Sequence, residues 1–217
     1  MSVVDRGTSI LVSTAATEHY TAETALLAVA QLLLICRLPN KLRFDNDPRF
    51  VGNWRTDGFP SPLMRFLLCL GVEPDLVEPG KPYHKPFVER SIRTLKYECL
   101  WLERPENVQA TNDLLDQYRY FYNHQRANQS SACGNRPPYE AFPELPTLPQ
   151  LPEQVDPDTW LQPFQGRVFR RRVGQNGMIS VGNHDYYVNH MLRGEKVGVL
   201  LDARGRAPRR YSGCSWS

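Results

Sequence analysis

Five prolines limit this chain more than any other feature: Pro143, Pro146, Pro149, Pro152 and Pro157. Proline cannot continue a helix or donate to a sheet. Residues 143–158 are therefore expected to form a stiff, extended linker that marks a domain boundary. The linker is acidic, with Glu144, Glu153, Asp156 and Asp158 and no base. Beyond it, residues 159–217 carry ten Lys and Arg against Asp185, Glu195 and Asp202, a surplus of seven. The net charge of +3 over 217 residues therefore hides a basic C-terminal segment, as expected of a polyanion-binding module.

Several classes are set aside early. No apolar run approaches the roughly 18 residues of a membrane span. The longest, Ala25 to Cys36, is broken by Gln31 and reads as a buried helix. The opening residues MSVVDRGTS lack the charged and apolar regions of a signal peptide, so a cytoplasmic location is expected. Cys36, Cys69, Cys99, Cys133 and Cys214 are scattered and read as ordinary reduced thiols. The histidines have no zinc-site spacing with them.

Residues 1–142 alternate between strand and helix signals, which implies an α/β layer architecture. Strands are expected at Ser2 to Asp5, Ser9 to Ala15, Lys41 to Phe44 and Val72 to Val77. A helix capped by Thr21 runs to about Arg37, with Glu23 suited to the positive end of its dipole. Further helices are expected over Pro62 to Leu70, ended by Gly71, then Lys85 to Leu102 and Pro105 to His124. Beyond the linker, short strands separated by glycines are expected at Arg167 to Val173, Met178 to Val181, His184 to Asn189, Lys196 to Leu201 and Pro208 to Tyr211. They suggest a small β-barrel.

Two stretches carry chemistry. In LRFDNDPRF, Asp45 ends an apolar strand, where ligands of α/β sheets collect. A turn residue or helix cap also fits such an Asp. In PGKPYHKPFVERSIRTLKYE, Val88, Ile92, Leu95, Cys99 and Leu102 form one apolar stripe. Glu89, Arg93 and Lys96 fall on a neighbouring stripe, a carboxylate followed by two bases. A Glu89–Arg93 ion pair on a solvated face fits the same spacing.

Taken together, these stretches resemble the retroviral-integrase superfamily of DDE transposases, most of all the bacterial insertion-sequence transposases. FYNHQRANQSSACGNRPPYEAF adds the end of such a core. The resemblance covers about residues 1–142. It implies an RNase H-like α/β catalytic core, with residues 159–217 as a small SH3-like β-barrel. It further implies three carboxylates binding two Mg²⁺ or Mn²⁺ ions for phosphoryl transfer on DNA. Asp45 matches the second carboxylate and Glu89 the third. Arg93 and Lys96 match positions that hold DNA, and Lys81, His84, Lys85 and Arg90 would add backbone contacts. DNA, a homo-oligomer assembled on it and a bacterial nucleoid location follow from the same resemblance.

The pattern departs from the family at its start. The strand bearing the first carboxylate would precede the segment matching Ser2 to Asp5, and Asp5 is not a catalytic position. A core truncated there is expected to expose unpaired strand edges and to be weakly active or inactive. Asp47 stands where many relatives have Gly and is expected to be a solvated turn residue. Residues 51–62, with Trp54, Arg55 and Phe59, form a longer connection that suits either packing or DNA contact.

In the C-terminal segment, Arg170 and Arg172 share one face of a strand, and Arg209 and Arg210 belong to a second basic cluster. With Tyr186, Tyr187 and Tyr211 interleaved, DNA binding is expected. The alternative to a DNA-joining enzyme is a catalytically inactive DNA-binding remnant or regulator of the full-length transposase.

Overall fold

The computed structural model describes residues 1–51, 58–77, 86–182 and 184–203, with the backbone alone at 86–88. Among these, no helix is long and apolar enough to cross a membrane. The chain divides into two compact units, each built from two stretches. The first joins Met1–Pro39 with Val77–Leu151, and the second joins Asn40–Leu76 with Pro152–Ser217.

The first unit opens with an antiparallel hairpin, β1 (Ser2–Val4) and β2 (Leu11–Thr14). Asp5 sits in its turn, where its Oδ1 accepts from the Gly7 and Thr8 amides at 2.6 and 3.1 Å. This is the turn role that a short acid favours. Helix α1 (Ala22–Cys36) starts at Thr21 as expected: the Thr21 hydroxyl accepts from Thr24 N at 3.2 Å, and Thr24 Oγ1 accepts from Thr21 N at 2.8 Å. The apolar sequence of α1 buries Ala25, Val29, Leu32 and Leu33 but leaves Leu27, Leu34 and Ile35 exposed. After α1, the Leu38 amide bonds Pro149 O at 3.0 Å, so the proline-rich stretch docks on the end of this helix.

Helix α4 (Pro86–Leu95), a π-helical turn (Lys96–Leu100) and α5 (Trp101–Glu103) follow one another without a break. Asn107 caps α6 (Val108–His124) through a 2.8 Å bond from Ala110 N, and the short α7 (Pro138–Ala141) follows. Leu11, Leu95, Cys99, Leu115, Tyr118 and Tyr122 make the core of this unit.

The π turn corrects the expected apolar stripe. An α-helix turns about 100° per residue, whereas an i→i+5 turn holds roughly one residue more. Over five residues the register slips by roughly a quarter turn. Leu102 is consequently 70% exposed rather than buried, and Leu100 packs against the core in its place.

In the second unit, β3 (Lys41–Phe44) and β4 (Glu73–Leu76) pair in parallel, Lys41 opposite Glu73 and Phe44 opposite Leu76. The crossover between them holds α2 (Pro48–Val51) and α3 (Pro62–Cys69). Ser61 caps α3, and Gly71 ends it at φ 72, a conformation that suits glycine.

The C-terminal strands are β5 (Val168–Arg172), β6 (Met178–Val181), β7 (His184–Tyr187) and β8 (Lys196–Leu200). They pair as two antiparallel two-stranded sheets, β5 with β8 and β6 with β7. The expected closed barrel is not formed among the described residues, and the expected strand at Pro208 to Tyr211 lies outside them. Fully buried Phe169, on β5, meets Phe59 edge-on at 5.1 Å; Trp160, from a 3-10 turn over Thr159–Phe164, meets Phe59 at 5.8 Å. Phe59 is thus a packing residue, while Trp54 and Arg55 lie outside the described residues.

Candidate functional site

Asp45 directly follows β3. A parallel in-register pair brings both strand ends to one side, so the loop after Phe44 leaves the carboxyl edge of this small sheet. Cross-strand ion pairs fix the register there, Lys41–Glu73 at 2.9 Å and Arg43–Asp75 at 2.7 Å. Asp45 is half-buried. Its neighbour Asp47 is not a free turn acid. It pairs with Arg49 and accepts from the Arg49 amide at 2.9 Å, and this guanidinium holds the carboxyl below its usual range. Phe44 and Phe50, 5.5 Å apart, close the loop from its apolar side.

Glu89 stands on α4 in the first unit. Glu89, Arg90, Arg93 and Lys96 are all exposed, while Ser91, Leu95 and Cys99 are buried. The alternative Glu89–Arg93 ion pair does not form, and Glu89 makes no ion pair among the described residues. Asp45 and Glu89 both offer the hard oxygen donors that Mg²⁺ and Mn²⁺ take, so their chemistry fits such ions. One stands in each unit. Among the described residues, no group of three or more His, Cys, Asp or Glu is arranged to hold a metal. Lys81, His84 and Lys85 lie outside the described residues, as do Arg209 and Arg210.

The π turn carries a network that sequence patterning had not singled out. Arg126 grips Glu98 with two bonds, Nε to Oε2 at 2.6 Å and Nη2 to Oε1 at 2.7 Å. Tyr118 donates to the same carboxylate at 3.2 Å. Arg126 holds the Glu98 carboxyl below its usual range, and burial raises the Tyr118 phenol. Two asparagines of α6 were also missed. The Leu11 amide donates to Asn123 Oδ1 at 2.9 Å, and Asn123 Nδ2 donates back to Leu11 O at 3.0 Å. Asn112 makes the same two-way grip on Ala16, at 2.8 and 3.1 Å. Their spacing of eleven residues, three helical turns, was the available signal.

On β5, Arg170 and Arg172 are exposed on one face, as the alternation requires. Arg171 turns the other way and lies over the rings of Phe59 and Phe169, at 5.2 and 6.0 Å. Arg65, the one base in apolar α3, sits 5.3 Å from the Trp160 ring. Burial lowers its guanidinium below the usual value, and its Nε has no hydrogen-bond partner among the described residues.

Residues 70–138 match the family model of the integrase core domain. This stretch is similar to the integrase core family. It contains α4 with Glu89, the π turn and the Asn112 and Asn123 clamps, whereas Asp45 precedes it. No curated protein matches the chain. Among solved structures, similarity extends to a chain from the cryoEM structure of the simian T-cell lymphotropic virus intasome in complex with PP2A regulatory subunit B56 gamma. The TM-score is 0.51 at 15% identity, over 86% of this chain and 58% of that one. The present chain therefore spans less than two thirds of the viral one. This likeness gives the fold, that of an RNase H-like integrase core. The catalytic core domain of BIV integrase aligns at TM-score 0.44 and 25% identity, covering 65% of this chain and 82% of that one.

Proposed function

We propose that the chain serves DNA integration or transposition, cutting and joining DNA strands as a DDE-type transposase of bacterial insertion-sequence type, in the cytoplasm at the nucleoid. The observation that carries this reading is the integrase-core stretch itself, which spans the exposed row of Glu89, Arg90, Arg93 and Lys96 on α4. Asp45 and Glu89 would hold Mg²⁺ or Mn²⁺, which supplies charge stabilisation and an activated oxygen nucleophile when bound. The residues of the chain do the rest. Arg93 and Lys96, one and two turns beyond Glu89, neutralise and position the DNA backbone, joined by Lys81, His84, Lys85 and Arg90. Such transfer depends mainly on positioning and electrostatics. Residues 159–217, read as an SH3-like module, would add DNA contacts through Arg170, Arg172, Arg209 and Arg210. Exposed Leu27, Leu34 and Ile35 on α1 support self-association in the DNA complex.

Isothermal titration with Mg²⁺ and Mn²⁺ tests the site, comparing the chain with Glu89→Gln. Saturable binding that the substitution abolishes supports the enzyme reading, and strand transfer on oligonucleotide ends then measures activity. A second reading, an inactive DNA-binding remnant or regulator, is favoured by the outward Arg170–Arg172 face, which needs no carboxylate. DNA binding without metal binding by either protein selects it.

A further inference from the structure

The helix that carries Glu89 ends in two aromatic side chains that the core does not use. Tyr97 is 58% exposed and Trp101 is 53% exposed. Their rings stand 4.3 Å apart at 75°, an open corner on the surface of the first unit. The π turn sets this arrangement. In an uninterrupted α-helix, Trp101 would fall roughly a third of a turn away from the row of Glu89, Arg93 and Lys96. The slip of roughly a quarter turn over Lys96–Leu100 returns Trp101 to the Arg93 stripe, with Tyr97 beside it. The Glu98–Arg126–Tyr118 network and the buried Cys99 pin the opposite side of the same turn, so the exposed corner is held in place.

The charges around the corner favour one occupant. Arg90, Arg93, Lys96 and Arg104 are exposed nearby along the helix. Of the acids on this segment, Glu98 is neutralised by Arg126, which leaves Glu89 and Glu103 against those four bases. A basic row leading into exposed aromatic rings suits a polyanion whose flat groups can stack.

We propose that Tyr97 and Trp101 form a stacking platform for an unpaired DNA base, next to the row that holds the backbone. The platform rests on the DNA-joining reading above and adds a residue-level partner to it. An unpaired base fills the corner by stacking on one ring while its edge meets the other. Twelve residues of helix, five of them in the π turn, separate Trp101 from Glu89, roughly 16 Å along the axis. That distance equals about five base steps of a stacked strand, at 3.4 Å each. The platform engages a frayed or single-stranded position, and it recognises unpairing rather than sequence.

The test is fluorescence anisotropy of the whole chain with a labelled 15-nucleotide single strand and with the matching duplex. Trp101→Ala and Tyr97→Ala are compared with Trp101→Phe, which keeps a ring, and circular dichroism verifies folding. Trp101→Ala is expected to weaken single-strand binding by at least about 5-fold. Duplex binding should change less, Trp101→Phe should recover most of the loss, and the salt slope should not change, because stacking releases no counterions. Single-strand affinity equal to the parent's in Trp101→Ala overturns the platform and leaves the DNA reading intact. Absence of DNA binding in the parent chain overturns both. Loss of self-association in Trp101→Ala, with DNA affinity unchanged, makes the corner a protein contact and overturns the platform.

Discussion

Asn123 is 4% exposed, and both ends of its amide are spent on one residue, Leu11. Replacing it with alanine leaves a buried backbone N–H and C=O without partners, at about 1–3 kcal/mol each. Asn123→Ala should therefore lower stability by about 2–4 kcal/mol in urea unfolding, against a smaller loss for Asn112→Ala at its half-buried site. Glu98 gives a prediction in pH. Its carboxyl is depressed in the folded state, so its stabilising effect is complete above the ordinary glutamate range, near pH 4.3, and is lost as pH falls below it. Melting temperature should fall more steeply over pH 5 to about pH 3 in the parent than in Glu98→Gln. Both partners are partly exposed, which keeps the effect modest. At this scale the sequence was legible where a residue acts on its own neighbours, as Thr21 does in capping α1. It was silent on Asn123 and Arg126, whose partners lie far along the chain.

At the scale of elements, most strands and helices fall where periodicity and caps put them, because those signals are local. The π turn is the main exception. No composition rule marks Lys96–Leu100, and an α-helical reading counts the wrong leucine inward. The two readings separate cleanly by mutation. Leu100→Ala should cost about 1–2 kcal/mol, while Leu102→Ser should stay within about 0.5 kcal/mol, as measured by denaturant midpoints. The reverse order would mean that the segment is α-helical in solution. Among the described residues the C-terminal strands pair as two small sheets, and the fifth expected strand lies outside them. Glycine-separated short strands predict strands and turns well, but which strand pairs with which is decided by long-range contacts that alternation does not encode.

At the scale of the whole molecule, charge is more legible than shape. The basic surplus after the linker was countable, and Arg170 and Arg172 do face outward together. If they bind DNA phosphates, the double substitution Arg170→Gln with Arg172→Gln should reduce the slope of log affinity against log salt by about two. Anisotropy titrations between about 50 and 200 mM salt would measure it, and an unchanged slope would remove this face from the interface. Of the candidate site, the exposed acid-and-base row on α4 was readable from spacing, since one helix face is a local property. The division of Asp45 and Glu89 between two compact units was not, since it depends on how distant stretches assemble.

The grip of Asn123 on Leu11 joins residues 112 positions apart. A ribosome adding about 5–20 residues per second needs roughly 6–22 s to travel from one to the other. During that interval the nascent hairpin has emerged with one edge of its second strand still without the side chain that will cover it. Sticky strand edges attract chaperones and neighbouring chains alike. Expression yield should accordingly depend on how fast the stretch up to α6 is translated.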